Sequence, residues 1–111
     1  MRSIKAIHSA EFDNKVLAAS VPVLVEFGAV WCGPCRRLEM ELEQLQTELA
    51  GRLDVVSLDV DEASDLMMKY AVMSVPTLLL FKQGGVTKRV GGLHPLERLK
   101  GMIEPFLPIQ H

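Results

Sequence analysis

Val23-Leu24-Val25-Glu26-Phe27-Gly28-Ala29-Val30-Trp31-Cys32-Gly33-Pro34-Cys35 is the stretch whose reading decides the fold. Its first five residues are apolar apart from Glu26 and rich in β-branched types, the pattern of a central strand covered on both faces. Such strands are commonly parallel and flanked by helices. Its last residues open a helix. From Pro34 to about Ala50, Leu38, Leu42, Leu45 and Leu49 recur at helical spacing, glutamates and two arginines fill most of the rest, and Gly51 ends the run. The two cysteines therefore fall between the end of a buried strand and the start of a long helix, where open α/β sheets place their reactive groups.

Upstream of this stretch, Ile4 to Ile7 is a short strand candidate, and Ser9 is an expected N-cap for a helix through Glu11, Phe12, Val16 and Leu17 that breaks at Val21-Pro22. Downstream, Leu53 to Val60 reads as a second buried strand, and Asp61 to Ala71 as a short helix capped by Asp61 or Ser64. Val75-Pro76-Thr77 opens a strand over Leu78 to Lys82. Gln83-Gly84-Gly85 then turns the chain into a strand over Val86 to Val90, and the two strands pair as an antiparallel hairpin. Pro76 falls at the start of its strand, where a missing N–H is tolerated. After Gly91-Gly92, His94 takes the cap position and Pro95 the first helical position of a last helix striped by Leu96, Leu99, Ile103 and Leu107. The expected fold class is α/β: a mixed sheet of about five strands, with an antiparallel hairpin, between about four helices.

Composition narrows the function classes. The 111 residues suit one domain, 1–111, and 49% apolar with 23% charged residues is ordinary for a compact fold. The net charge of -2 and the scattered basic residues, apart from Arg36-Arg37, leave no electrostatic footprint for nucleic acid. The longest apolar run, Val21 to Trp31, is too short to span a bilayer and contains Glu26, while Met1 to Ile7 lacks the apolar core of an export signal. No membrane partner and a cytoplasmic location are expected. Two cysteines cannot build the multi-bridge framework of a small secreted domain, and a reducing compartment would let a dithiol cycle.

The chemistry therefore centres on Cys32 and Cys35. A thiolate at a helix N-terminus meets free backbone N–H groups and the positive end of the helix dipole, which draws the Cys32 pKa toward neutrality and makes Cys32 the expected nucleophile. Cys35, one turn on, faces it at bridging distance. Gly33 is expected to let the backbone pass tightly, and Pro34 fixes φ in the first turn. A zinc site would need two more ligands, and His8, His94 and His111 are isolated from one another in the sequence. Trp31 reads equally as a half-buried packing aromatic or as a substrate contact, and one residue can be both. Met67, Met68 and Met73 read as core filler and surface, with Met73 close enough in sequence to Pro76 to touch a substrate.

Over nearly its whole length the chain resembles the thioredoxin family. The resemblance is carried by Trp31-Cys32-Gly33-Pro34-Cys35, Val23-Leu24-Val25-Glu26-Phe27, Val75-Pro76-Thr77-Leu78-Leu79-Leu80-Phe81-Lys82 and the late Gly91, in order and spacing. It implies a protein-disulfide reductase in which Cys32 attacks a substrate disulfide and Cys35 resolves the mixed disulfide. It further implies no bound cofactor, a redox-active disulfide restored by a flavin-containing, NADPH-dependent thioredoxin reductase, disulfide-bearing protein substrates and a monomer. Pro76 would be cis and face the cysteines, Val75 would pair with the substrate backbone, and Gly91 and Gly92 would line the same groove.

The chain departs from the family at four places. Glu26 replaces the usual aspartate, Gly28 a common tryptophan, Ser57 a common lysine and Met40 a kinking proline. Glu26, within an apolar strand that ends before the motif, is expected to lie beneath Cys35 with its pKa raised by desolvation, serving as general base for that thiol. The competing reading is a charge at a strand edge. At the level of function, the rivals are an oxidase or isomerase, and a binding subunit or dedicated redox partner that the general reductase does not serve.

Overall fold

The computed structural model describes residues 4–109, so the expectations resting on residues 1–3 and on His111 lie outside the described residues. The chain forms β1 (Lys5–Ala6), an irregular helical segment made of a 3₁₀ turn (Ser9–Glu11) and a wider turn (Asp13–Leu17), and β2 (Val23–Gly28). It continues with α1 (Gly33–Glu48), β3 (Asp54–Asp59), α2 (Ser64–Lys69), β4 (Thr77–Lys82), β5 (Gly85–Gly91), α3 (Leu96–Ile103) and a closing 3₁₀ turn (Glu104–Phe106). The strands form one mixed sheet in the order β1-β3-β2-β4-β5. Strand β2 runs parallel to β3 and antiparallel to β4, and β4 and β5 form the expected hairpin. Gln83 and Gly84 both take positive φ, 51° and 82°, in the turn between them. Paired positive φ values match the right-handed strand twist in a two-residue hairpin loop.

The strand period of two sorts the core into two layers. Val23, Val25 and Phe27 of β2 face one side with Phe12, Val16, Val56, Leu58, Leu79 and Phe81. Leu24 faces the other side with Leu38, Leu42 and Leu45 of α1, Leu78, Leu80, and Leu99 and Ile103 of α3. All six residues of β2 are buried, as expected of a strand covered on both faces. The same alternation assigns Glu26 and Gly28 to the face of Leu24, the side of α1.

Three helix starts differ from expectation. His8, not Ser9, precedes the first helical turn, and its backbone N–H donates to the Glu11 carboxylate at 2.9 Å. Helix α2 starts after Ala63 without a side-chain cap. Asp61 is instead held in a turn, its N–H donating to Asp59 Oδ1 at 2.9 Å. Helix α3 follows Pro95, whose ψ of 161° keeps it outside the helix, and the free N–H of Leu96 donates to Glu41 Oε1 of α1 at 2.7 Å. His94 turns back to the Gly91 carbonyl at 3.0 Å. In each case a side chain near the expected cap was committed elsewhere, and in α3 the cap came from another helix, beyond the reach of a local pattern.

Candidate functional site

Strand pairing gathers the expected site residues at one end of the sheet. Phe27 pairs with Thr77, and Thr77 with Gly91. The chain leaving β2 toward Cys32, the Val75-Pro76 segment before β4 and Gly91-Gly92 at the end of β5 therefore emerge side by side. Gly92 N–H donates to the Pro76 carbonyl at 2.9 Å, tying the last two segments together. The Val75–Pro76 peptide is cis, as expected.

Cys32 and Cys35 form a disulfide with Cα atoms 5.3 Å apart. Cys32 is the N-cap of α1, with φ -94° and ψ 107°, and its Sγ accepts the backbone N–H of Cys35 at 3.1 Å. One of the unpaired amides of the first turn is thus aimed at the sulfur of Cys32, the place where a helix start favours negative charge. Cys32 is 5% exposed and Cys35 1%, so the outer face of the bridge belongs to Cys32. Pro34 occupies the first turn of the helix. Gly33 corrects its expectation: it has no left-handed φ, and a Cβ there would meet nothing within 4 Å. The fold does not require glycine there for passage of its own backbone; the residue only keeps that surface bare.

Trp31 is 65% exposed, which removes the packing reading, and its Nε1–H donates to Asp61 Oδ2 at 2.9 Å. The indole is thereby tied to the loop after β3 while its ring meets solvent. Met73 is also exposed, Val75 is half-buried, and Pro76 is buried.

Glu26 is fully buried, which removes the strand-edge reading, and neither carboxyl oxygen has a hydrogen-bond partner. Desolvation pushes its pKa up to about 9, with the nearby Glu39 carboxyl acting in the same direction. Its Oε2 and Cys35 Sγ lie 2.8 and 3.3 Å from the point a Cβ on Gly28 would occupy. The acid and the inner sulfur therefore meet over a bare backbone, near enough for proton transfer directly or through one water.

A thioredoxin family model matches residues 3–105. Thioredoxins of Staphylococcus aureus, among them those of strains Mu50 / ATCC 700699, MW2 and N315, are 41% identical to this chain over 105 residues, covering 95% of it and 99% of their own length. The chain belongs to the thioredoxin family. Its sheet, its helices and its redox-active cysteine pair are those of a thiol–disulfide oxidoreductase, and its function is the reduction of protein disulfides. Among the described residues no helix is long and apolar enough to cross a membrane.

Two features of the site escaped sequence reading. Glu39 lies half-buried one helical turn after Cys35, and helical spacing alone does not single it out from the other glutamates of α1 as the acid nearest a buried strand. In the sequence Gly28 and Glu26 are two separate departures from the family. In the fold they are one: the Glu26 carboxyl fills the space that any side chain at 28 would enter. Two residues of separation in a strand, which puts both on one face, was the available signal.

Proposed function

We propose that Cys32 is the attacking thiolate, Cys35 the resolving thiol and Glu26 the acid–base group that exchanges a proton with Cys35. The observation that carries this reading is the asymmetry of the pair: Cys32 Sγ caps α1 and is the more exposed, while Cys35 Sγ is enclosed beside the Glu26 carboxyl. Cys32 forms a mixed disulfide with the substrate, Cys35 gives its proton to Glu26 as its sulfur bonds to Cys32, and the substrate leaves as a thiolate. In the disulfide state Glu26 carries the proton, which its raised pKa supports. When an incoming reductant attacks Cys32, the same proton returns to Cys35, so it shuttles within the site over a full cycle.

Trp31, Gly33, Pro34, Val75, Pro76, Gly91 and Gly92 form the substrate-docking surface, a reading supported by their meeting at one end of the sheet. Electrons come from NADPH through a flavin-containing thioredoxin reductase, and the protein acts as a single-domain cytoplasmic monomer over residues 1–111. The test is NADPH-coupled reduction of insulin disulfides with the reductase of the same organism. Wild-type protein turns over; Cys32→Ser abolishes exchange; Cys35→Ser accumulates mixed disulfides through Cys32. Faster alkylation of Cys35 than of Cys32 at neutral pH would reverse the roles, and full biological function in the double serine variant would assign the chain to a binding subunit.

A further inference from the structure

Behind the cysteine pair a cleft of about 450 Å3 opens to solvent, lined by Glu26 and Gly28 of β2, Arg36 and Glu39 of α1, and Ser57 and Asp59 of β3. Helical spacing puts Glu39 on the same side of α1 as Cys35, four residues on. Strand pairing puts Ser57 next to Glu26, so the strand neighbour offers no cation to the buried acid. Glu26 is thus a fully buried acid without a hydrogen-bond partner on a cleft that also admits Glu39. As two carboxylates the pair has no proton to share, and neither oxygen of Glu26 can be satisfied by Glu39. With one proton on Glu26, its O–H can donate to the Glu39 carboxylate, a charge-assisted bond.

We propose that Glu39 is a positioning residue for disulfide exchange: from the cleft it accepts the Glu26 O–H and keeps that proton on Glu26 until Cys35 needs it. This rests on the reading of Glu26 as the acid–base partner of Cys35. When a thiolate of the reductant bonds to Cys32 Sγ, the Cys32–Cys35 bond breaks and its electron pair goes to Cys35 Sγ. The proton moves from Glu26 to Cys35, and Glu26 becomes a carboxylate beside Glu39. The repulsion between the two carboxylates then favours return of the proton to Glu26 when Cys35 next attacks. The raised pKa of Glu26, to which Glu39 contributes after burial, accords with this arrangement. The other charged groups facing the cleft are Arg36, of opposite sign, and Asp59, Glu62 and His8, of which His8 and Glu62 pair with each other at 3.3 Å.

The experiment follows the side-chain carboxyl carbons of the oxidised protein by 13C NMR across pH. In parallel, the pH profile of reduction of the Cys32–Cys35 disulfide by dithiothreitol is recorded through Trp31 fluorescence. Glu39→Gln keeps an acceptor and removes the charge; it is expected to move the Glu26 midpoint, and the corresponding limb of the rate profile, acidward by on the order of one pH unit. Glu39→Asp should recover part of the shift, and Glu62→Gln, the same charge change in the same cleft, should leave both midpoints in place. Unchanged midpoints in Glu39→Gln, or equal shifts in Glu39→Gln and Glu62→Gln, overturn the proposal. Glu26→Gln identifies the Glu26 signal by its loss. A rate profile that Glu26→Gln leaves intact would overturn the reading of Glu26 itself, whereas a profile altered by Glu26→Gln and untouched by Glu39→Gln overturns the role of Glu39 alone.

Discussion

The longer acid at position 26 and the missing side chain at 28 are a matched pair, and the match can be measured. Gly28→Ala would bring a methyl to 2.8 Å from Glu26 Oε2 and 3.3 Å from Cys35 Sγ, so the buried Glu26 carboxyl must move aside and the disulfide sulfur give by a few tenths of an ångström. Overpacking of this kind costs about 1–3 kcal/mol, read as a lower urea midpoint. Glu26→Asp withdraws the carboxyl from that space, so the Glu26→Asp/Gly28→Ala double variant should recover most of the loss; strictly additive single effects would show that the two positions are uncoupled. Glu26 also writes a pH dependence into stability. Its carboxyl has an ordinary pKa near 4.5 when solvated and about 9 in the fold, so the folded state binds the extra proton between those values. Below the lower value both states are protonated and the group has no pH-dependent effect. As pH rises from there to about 9, stability falls, by at most about 1.4 kcal/mol per pH unit, and then levels off. Glu26→Gln should flatten this slope and leave the variant more stable than wild type at pH 7 and above. Equal slopes in chemical denaturation at several pH values would mean that the carboxyl is ionised in the fold.

Among the elements, α3 depends on α1 for its start. Pro95 precedes it and can donate no N–H, and its first free amide, at Leu96, is satisfied by Glu41 Oε1 rather than by a local side chain. Loss of a helix cap costs typically about 1 kcal/mol, so Glu41→Ala should destabilise by that order, and Glu41→Gln, which keeps the acceptor, by less. A second tie between these helices, Lys100 to Glu48 at 2.8 Å, is partly exposed and contributes little by comparison. Denaturation of Glu41→Ala with an unchanged midpoint would show that water caps α3 equally well.

For the whole molecule, the order of the sheet sets the order of local stability. Strand β2 lies between two neighbours, is buried throughout and carries the chain directly into the cysteine pair. β1 is an exposed two-residue edge strand that pairs, among the described residues, with β3 alone, while β5, at the other edge, is mostly exposed. Amide exchange should therefore be slowest in β2 and β4, approaching the global unfolding limit, and fastest in β1 and the helical segment after it. Comparable protection of β1 and β2 would contradict this ranking. The rigid centre matters for chemistry, because it fixes Glu26 and Gly28 against Cys35 while the substrate-facing segments lie at the sheet end.

What the sequence determined by itself is what local pattern can carry. The apolar β-branched run at Val23–Phe27, the leucine spacing after Pro34, the Gln83-Gly84 turn and the spacing of Cys32 and Cys35 each state their element through periodicity or backbone chemistry. Together with the resemblance they gave the fold class, the redox pair and the suspicion attached to Glu26. The tertiary structure decided which groups meet across elements. Glu41 caps α3, Asp61 holds Trp31, Glu39 shares a cleft with Glu26, and a side chain at Gly28 would meet the Glu26 carboxyl. Only the last of these joins near neighbours along the chain, and there too the space is closed from above by α1, through Cys35. Hydrogen bonds and steric exclusion act over a few ångströms, and only the packing of the helices and loops on the sheet brings residues distant in sequence within that range.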